Sequence, residues 1–326
     1  MAAPRVTIVT PVLNEEAGLA HYERAVTAVL FDNPEFSFEV LFVDDGSTDR
    51  SWEIIQAMSA RDPRFHGIRL SRNYGAHVAL SAGFAHATGD AVATLACDLQ
   101  DPPETVLEFA RTWRGGAQIV WGHRRTRADA WSRTTSSRMF EALVRRFAMP
   151  RGSKFAVGSF LLVDRLVADC FRQFHEHNRV TFALVAWTGF SQAIVEYDRV
   201  ERRTGRSGWT WRRMVQTMYD TFIGFSFLPI RLMTLTGVFL SLLTLPIATY
   251  LIVVYVLGRP FPGWTSVMMA LTLFFGVQFL MMGIIGEYLY RIYSEVVRRP
   301  LYFVSDQTAV GNASMTTHRG TEAQRY

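Results

Sequence analysis

Three acidic clusters stand where apolar runs end: Glu15-Glu16, Asp44-Asp45, and Asp98 with Asp101. Carboxylates at such places can cap helices, accept hydrogen bonds from a ligand, or hold a hard cation. The run DLQDPPE at 98–104 is the most specific of the three. Asp98 and Gln100 are oxygen donors two residues apart, a set that suits Mg2+ or Mn2+ beside a diphosphate. Such a metal would neutralise charge on a leaving diphosphate. Asp49 and Glu104 also have a plain reading as helix-capping acids. Asp44 and Asp45 fit two readings: acceptors for a nucleobase N–H and ribose hydroxyls, or braces for the turn at Gly46. The first apolar run closes as PVLNEE rather than in a glycine-rich loop, which excludes dinucleotide and Walker-type phosphate sites.

The elements that must carry these groups alternate. Val6–Val12 is a β-branched run, followed by a helical periodicity through Leu19, Tyr22, Val26, Val29 and Leu30. Phe38–Val43 predicts a second strand, and Ser47 or Asp49 can cap a helix carrying Trp52, Ile55 and Met58. His66–Leu70 predicts a third strand, Gly75–His86 a helix, and Ala91–Leu95 a fourth strand ending near Asp98. A helix starts at Pro102-Pro103, and Gln118–Trp121 predicts a fifth strand. Further on, the pattern predicts a helix over 129–148, a loop over 150–158, a strand at Phe160–Val163, helices at Leu166–Phe174 and Thr181–Gly189, and a late strand at Ala193–Glu196. Strand–helix alternation with short connections implies an α/β fold, a mostly parallel sheet with helices on both faces. The acidic clusters follow strands one, two and four, at the sheet edge where such folds hold their ligands.

The chain then changes solvent. Of 326 residues, 49% are hydrophobic, and the excess is concentrated after residue 226. Leu232–Gly258 and Pro260–Gly286 contain no charged residue, and each exceeds the roughly 20 residues that a membrane-spanning helix needs. Their short connection predicts an antiparallel hairpin. Before it, Trp209–Phe225 spaces Trp211, Met214, Val215, Met218, Phe222 and Phe225 as an amphipathic helix lying in the membrane interface. Arg231 precedes the hairpin, Arg291, Arg298 and Arg299 follow it, and Arg259 stands alone in the loop. The positive-inside bias puts both outer ends in the cytoplasm. The opening segment lacks the long apolar core of a signal peptide, in agreement with that topology. The expected division is therefore a cytoplasmic domain at 1–208, a juxtamembrane helix at 209–230, a hairpin at 231–290, and a cytoplasmic tail at 291–326 whose last twenty or so residues are disordered.

Lys and Arg number 34 against 29 Asp and Glu, a dispersed excess that gives no nucleic-acid footprint. Its one concentration is Arg202, Arg203, Arg206, Arg212 and Arg213, directly before the membrane, where anionic headgroups or a lipid phosphate would be met. Cys97 and Cys170 have no metal-binding spacing and form no disulfide framework.

PVLNEE at 11–16, VDDGSTD at 43–49 and DLQDPPE at 98–104 resemble family 2 glycosyltransferases of the GT-A fold. The two apolar segments and GEYLYRIYSEVVRRPLYFV at 286–304 make the chain similar to the polyprenyl-phosphate branch, which includes dolichyl-phosphate mannose synthases and bacterial undecaprenyl-phosphate sugar transferases. The resemblance implies that Pro11 and Glu15 border the nucleotide, that Asp44 and Asp45 hold base and ribose, and that Asp98 and Gln100 bind Mg2+ or Mn2+. It implies that Arg124, in GHRR, meets phosphate, and that Arg202 or Arg203 with Ser207, in ERRTGRS, approaches the lipid phosphate or the donor diphosphate. Three positions depart from the pattern. Ala96 stands where many relatives have an Asp, Ser159 where many have another, and Gly208 where a Lys is common.

The implied reaction moves a sugar from a nucleoside diphosphate, UDP-linked by expectation, onto polyprenyl phosphate with inversion at the anomeric carbon. The implied setting is the bacterial cytoplasmic membrane, with Gly237, Gly276 and Gly283 offering small-residue surfaces for a homo-oligomer. Two other readings compete. A processive polysaccharide synthase would need more spans and an acceptor-side QxxRW motif, which is missing. A non-catalytic membrane scaffold would carry a degenerate domain, which Ala96 and Ser159 keep open.

Overall fold

The computed structural model describes residues 3–125, 160–199 apart from 175, 177 and 178, 233–239 with seven further positions up to 257, and 263–308. The helix expected at 129–148, the loop at 150–158, the juxtamembrane helix, and Arg202, Arg203 and Ser207 lie outside them, as does the chain end from 309.

β1 (Arg5–Val12), β2 (Ser37–Asp44), β3 (Phe65–Leu70) and β4 (Ala91–Thr94) form a parallel core, with β1 between β2 and β4. β5 (Ile119–Arg124) and β7 (Gln192–Tyr197) pair in parallel, and antiparallel β6 (Leu161–Asp164) joins them to β4. At the other edge β8 (Val304–Gln307) runs antiparallel to β3. The order is β7-β5-β6-β4-β1-β2-β3-β8.

β-branched and aromatic residues alternate to the two faces, and each face is covered. On one side α1 (Glu16–Val26), α2 (Ser51–Arg61) and α4 (Pro103–Arg114) bury Leu19, Tyr22, Trp52, Ile55 and Phe109 against Ile8, Val40 and Phe42. On the other, α3 (Ala76–His86), α5 (Arg165–Arg172) and α6 (Thr181–Trp187) bury Leu80, Phe84, Phe171 and Leu184 against Val9, Val43 and Trp121. The mostly parallel sheet expected from the sequence is present, and its predicted strands fall within one residue of their places, except that the fifth runs three residues further, to Arg124.

The capping expectation changes in detail. The residue before α2 is Arg50, and the Asp49 carboxylate instead accepts the Ser51 and Glu16 amides. Glu104 sits in the first turn of α4 behind Pro102 and Pro103. The β8 strand was not anticipated, because four residues with no alternating apolar face carry no strand signal.

α7 runs from Trp264 to Val297, 34 residues, about 51 Å at 1.5 Å per residue. Residues 233–239 are also helical, and a Cβ built at Gly237 would lie 3.6 Å from Met281 of α7. Among the described residues no helix is long and apolar enough to cross a membrane, several side chains of α7 lying outside that set.

Candidate active site

β1 has β2 on one side and β4 on the other, so the chain direction of the connections reverses there. In an open parallel sheet, that reversal opens a crevice at the carboxyl ends of the strands. The three acidic clusters follow β1, β2 and β4, three adjacent strands.

The loops after β1 and β2 are tied to each other. The Asn14 amide donates to Ser47 Oγ at 3.0 Å, and the Thr48 amide donates to Asn14 Oδ1 at 2.8 Å. The Glu15 amide donates to Ser51 Oγ at 2.9 Å. Asn14 takes a left-handed φ of 54°, which turns Glu15 and Glu16 into the first turn of α1. Pro11, half-buried, pairs with Val43 across the β1–β2 ladder.

Asp44 and Asp45 are both buried, yet they are used differently. Asp45 accepts the Tyr74 amide at 2.7 Å and the Gly75 amide at 2.8 Å, one on each oxygen. It braces the β3–α3 loop, which the sequence did not offer; the turn at Gly46 is braced by Asp44 instead, through the Ser47 amide. Burial pushes its carboxyl up, against the two amide bonds that favour the charged form. Asp44 Oδ1 accepts the Ser47 amide, while Oδ2 has no hydrogen-bond partner and faces Arg69 Nε at 3.0 Å. Asp44 Oδ2 is therefore held by the Arg69 ion pair, at 3.0 Å, rather than by an amide. Arg69, whose Nη2 also donates to Ser47 O at 2.8 Å, holds this corner and was missed by the sequence reading.

After β4, Asp98 is half-buried and its Oδ1 accepts the Gln100 amide at 3.3 Å. Leu99 between them has a φ of 49°. Cys97 is buried, and its thiol is pushed up first by burial, then by the charges of Glu15 and Asp98. A Cβ built at Gly18, in the first turn of α1, would lie 3.6 Å from Glu15 Oε2 and 4.0 Å from Cys97 Sγ, so the Glu15 carboxylate stands near the chain that leaves β4.

The other half of this site comes from β5 and β7. Their register sets Arg124 opposite Tyr197. Tyr197 donates its hydroxyl to Asp101 Oδ1 at 2.6 Å and accepts from Arg124 Nε at 3.2 Å. Arg124 Nη2 also lies 3.9 Å from Asp101 Oδ1. Burial first, and then Asp101, push the Tyr197 hydroxyl up to about 12. Arg199, two residues on, donates to Gln100 Oε1. Asp98, Gln100 and Arg124 are thus brought to one edge, joined by Asp101, Tyr197 and Arg199. The sequence signal for Tyr197 was only a tyrosine at the end of an alternating run.

Among the described residues no group of three or more His, Cys, Asp or Glu is gathered as a metal cage. The donor set fits a cation that draws part of its coordination from a bound diphosphate. Asp98 supplies a hard carboxylate at the crevice, Glu15 adds negative charge nearby, and Ala96 adds no donor.

A mostly parallel α/β sheet with oxygen donors and guanidinium groups at its carboxyl edge is a framework for binding a ligand in that crevice. Residues 7–172 match glycosyl transferase family 2, and the chain belongs to that family. An uncharacterized glycosyltransferase of Synechocystis sp. is 37% identical over 306 residues, 92% of this chain and 95% of that protein. The prophage-derived bactoprenol glucosyl transferase of Shigella flexneri is 31% identical over 302 residues, covering 92% and 97%. A mannosyltransferase of Pyrobaculum calidifontis, solved with GDP-Man and Mn2+, aligns with a TM-score of 0.48 at 20% identity, over 68% of this chain and 64% of its own.

Proposed function

We propose that the chain transfers a sugar from a nucleoside diphosphate, UDP-linked by preference, to a polyprenyl phosphate, inverting the anomeric carbon and giving a polyprenyl-monophosphate sugar. The observation that carries this reading is the convergence of Asp98, Gln100, Arg124, Tyr197 and Arg199 at the crevice, in a chain similar along nearly its whole length to bactoprenol glucosyl transferases.

The acceptor needs little activation. A phosphate monoester has a second pKa of about 6, so at neutral pH it is largely a dianion and a competent nucleophile. The protein's work is alignment and charge stabilisation. Asp44, paired with Arg69, and the β1 end at Pro11 and Glu15 receive base and ribose; Asp45 shapes that wall through Tyr74 and Gly75. Arg124, fixed by Tyr197 and Asp101, faces phosphate. Arg202, Arg203 and Ser207 complete the acceptor side. A divalent cation at Asp98 and Gln100 would supply neutralisation of charge on the departing diphosphate.

The membrane setting belongs to the same proposal. The uncharged runs 232–258 and 260–286 form two spans with the catalytic domain on the cytoplasmic face. Exposed Leu271, Phe275, Phe279, Leu280 and Ile285 on α7 favour a lipid surrounding, since a contiguous apolar surface of this kind is unfavourable in water. β8 returns the chain to the catalytic sheet directly after α7, which keeps the end of that helix on the domain's side.

The test is transfer from a panel of UDP-, GDP- and dTDP-sugars to undecaprenyl phosphate by the full chain in detergent, with the lipid product read by mass spectrometry. A polyprenyl-monophosphate sugar is expected. Incorporation only into a growing polysaccharide would favour a processive synthase, and no transfer with any donor would favour a scaffold.

A further inference from the structure

Arg199 is exposed on the strand-end side of the crevice, and its guanidinium donates to Gln100 Oε1. Gln100 is the second of the two oxygen donors assigned to the cation. In the ligand-free protein that oxygen is therefore already engaged by a positive group.

The surrounding charges are balanced. Arg199 lies within range of Arg124, Asp101 and Asp98. Arg124 already has Asp101 and Tyr197 as partners. A divalent cation arriving alone would bring two more positive charges to Asp98 and would have to displace Arg199 from Gln100. A cation arriving with a nucleoside diphosphate brings its own negative charge, and offers Arg199 phosphate oxygens in place of an amide oxygen. Guanidinium binds phosphate oxygens more strongly than a neutral carbonyl.

We propose that Arg199 makes metal and donor binding interdependent: it occupies Gln100 until a nucleoside diphosphate arrives, then moves to the diphosphate and releases the Gln100 oxygen to the cation. This rests on the reading of Asp98 and Gln100 as the cation's ligands. Arg199 is thereby a donor-binding residue that also shields the site from free metal.

The experiment measures Mn2+ binding to the full chain in detergent, by the free-ion electron paramagnetic resonance signal, with no nucleotide and then with saturating UDP. Arg199→Gln should tighten Mn2+ binding without nucleotide by about tenfold, the size expected for removing one nearby like charge in a partly screened site. It should also reduce the strengthening that UDP confers. Arg199→Lys, which keeps the charge, should stay near the parent in the metal-only arm. A residue with only a structural role would weaken both arms together. Metal-only affinity that is unchanged or weaker in Arg199→Gln overturns the proposal. That arm needs no acceptor and no sugar, so it is independent of the lipid transfer assay.

Discussion

Replacing Tyr197 by Phe removes one oxygen atom and leaves the ring. The ring packs edge-on against Phe160, with centroids 5.1 Å apart, and that contact survives. What is lost is the hydroxyl that donates to Asp101 at 2.6 Å and accepts from Arg124 at 3.2 Å. A hydrogen bond to a charged partner contributes about 1.5–3 kcal/mol. Asp101 is only 7% exposed, so solvent cannot readily replace the lost donor, but its ion pair with Arg124 remains. A net loss of about 2 kcal/mol follows, which for a domain of this size lowers the melting temperature by about 4–8 °C. Catalysis falls as well, because Arg124 loses one of its two fixed partners; about tenfold in kcat/KM corresponds to about 1.4 kcal/mol.

The pH dependence gives a second readout of the same substitution. The folded state holds the Tyr197 hydroxyl up to about 12, from an ordinary value of 10.0, so folding favours the protonated form. The associated stability is present below pH 10 and is lost as pH rises from there towards 12. Tyr197→Phe should flatten that alkaline loss. Thermal unfolding followed by tryptophan fluorescence between pH 7 and about 11 checks it. A variant as stable as the parent at neutral pH, with kcat/KM within about twofold, refutes the account of Tyr197 as the group that fixes Arg124.

Asp98→Asn should lower transfer by about a hundredfold or more at saturating Mn2+, the scale of losing a charge-stabilising interaction in the transition state; near-parental turnover would sink the metal role. Gly46→Ala should unfold or severely destabilise the domain, by about 3 kcal/mol from left-handed strain and overpacking together. Its φ is +73°, and an added Cβ would stand 2.6 Å from the Arg72 carbonyl carbon, so a denaturation midpoint close to the parent's would contradict the geometry. Arg202→Gln and Arg203→Gln should raise the KM for the lipid acceptor more than the KM for the sugar nucleotide, and the opposite ranking would reject their assignment to the acceptor phosphate.

The strands were legible because a buried parallel sheet demands near-continuous apolar runs, and Val6–Val12, Phe38–Val43 and Ala91–Leu95 are such runs. The positions of Asp44, Asp45 and Asp98 were legible for the same reason: polar residues resume where the sheet ends. Their separate jobs were not. Asp44 and Asp45 are neighbours of one type, and only the approach of the β3–α3 loop gives Asp45 to two backbone amides while Asp44 turns to the Ser47 amide and Arg69.

Tyr197 is 73 residues from Arg124 and 96 from Asp101, and no local pattern links them. The parallel register of β5 with β7 makes that contact, and register is a property of paired strands rather than of either one. The same holds for Arg199 on Gln100 and for β8, whose pairing with β3 brings Asp306 to within 3.0 Å of Trp52 Nε1. The sequence by itself determined where carboxylates resume at the ends of the parallel strands, since alternation and polarity are written in order along the chain, but it did not single out Arg69, Tyr197 or Arg199. Only the tertiary structure decided which of them meet, because hydrogen bonds require angstrom proximity and strand order is set by packing across the whole sheet.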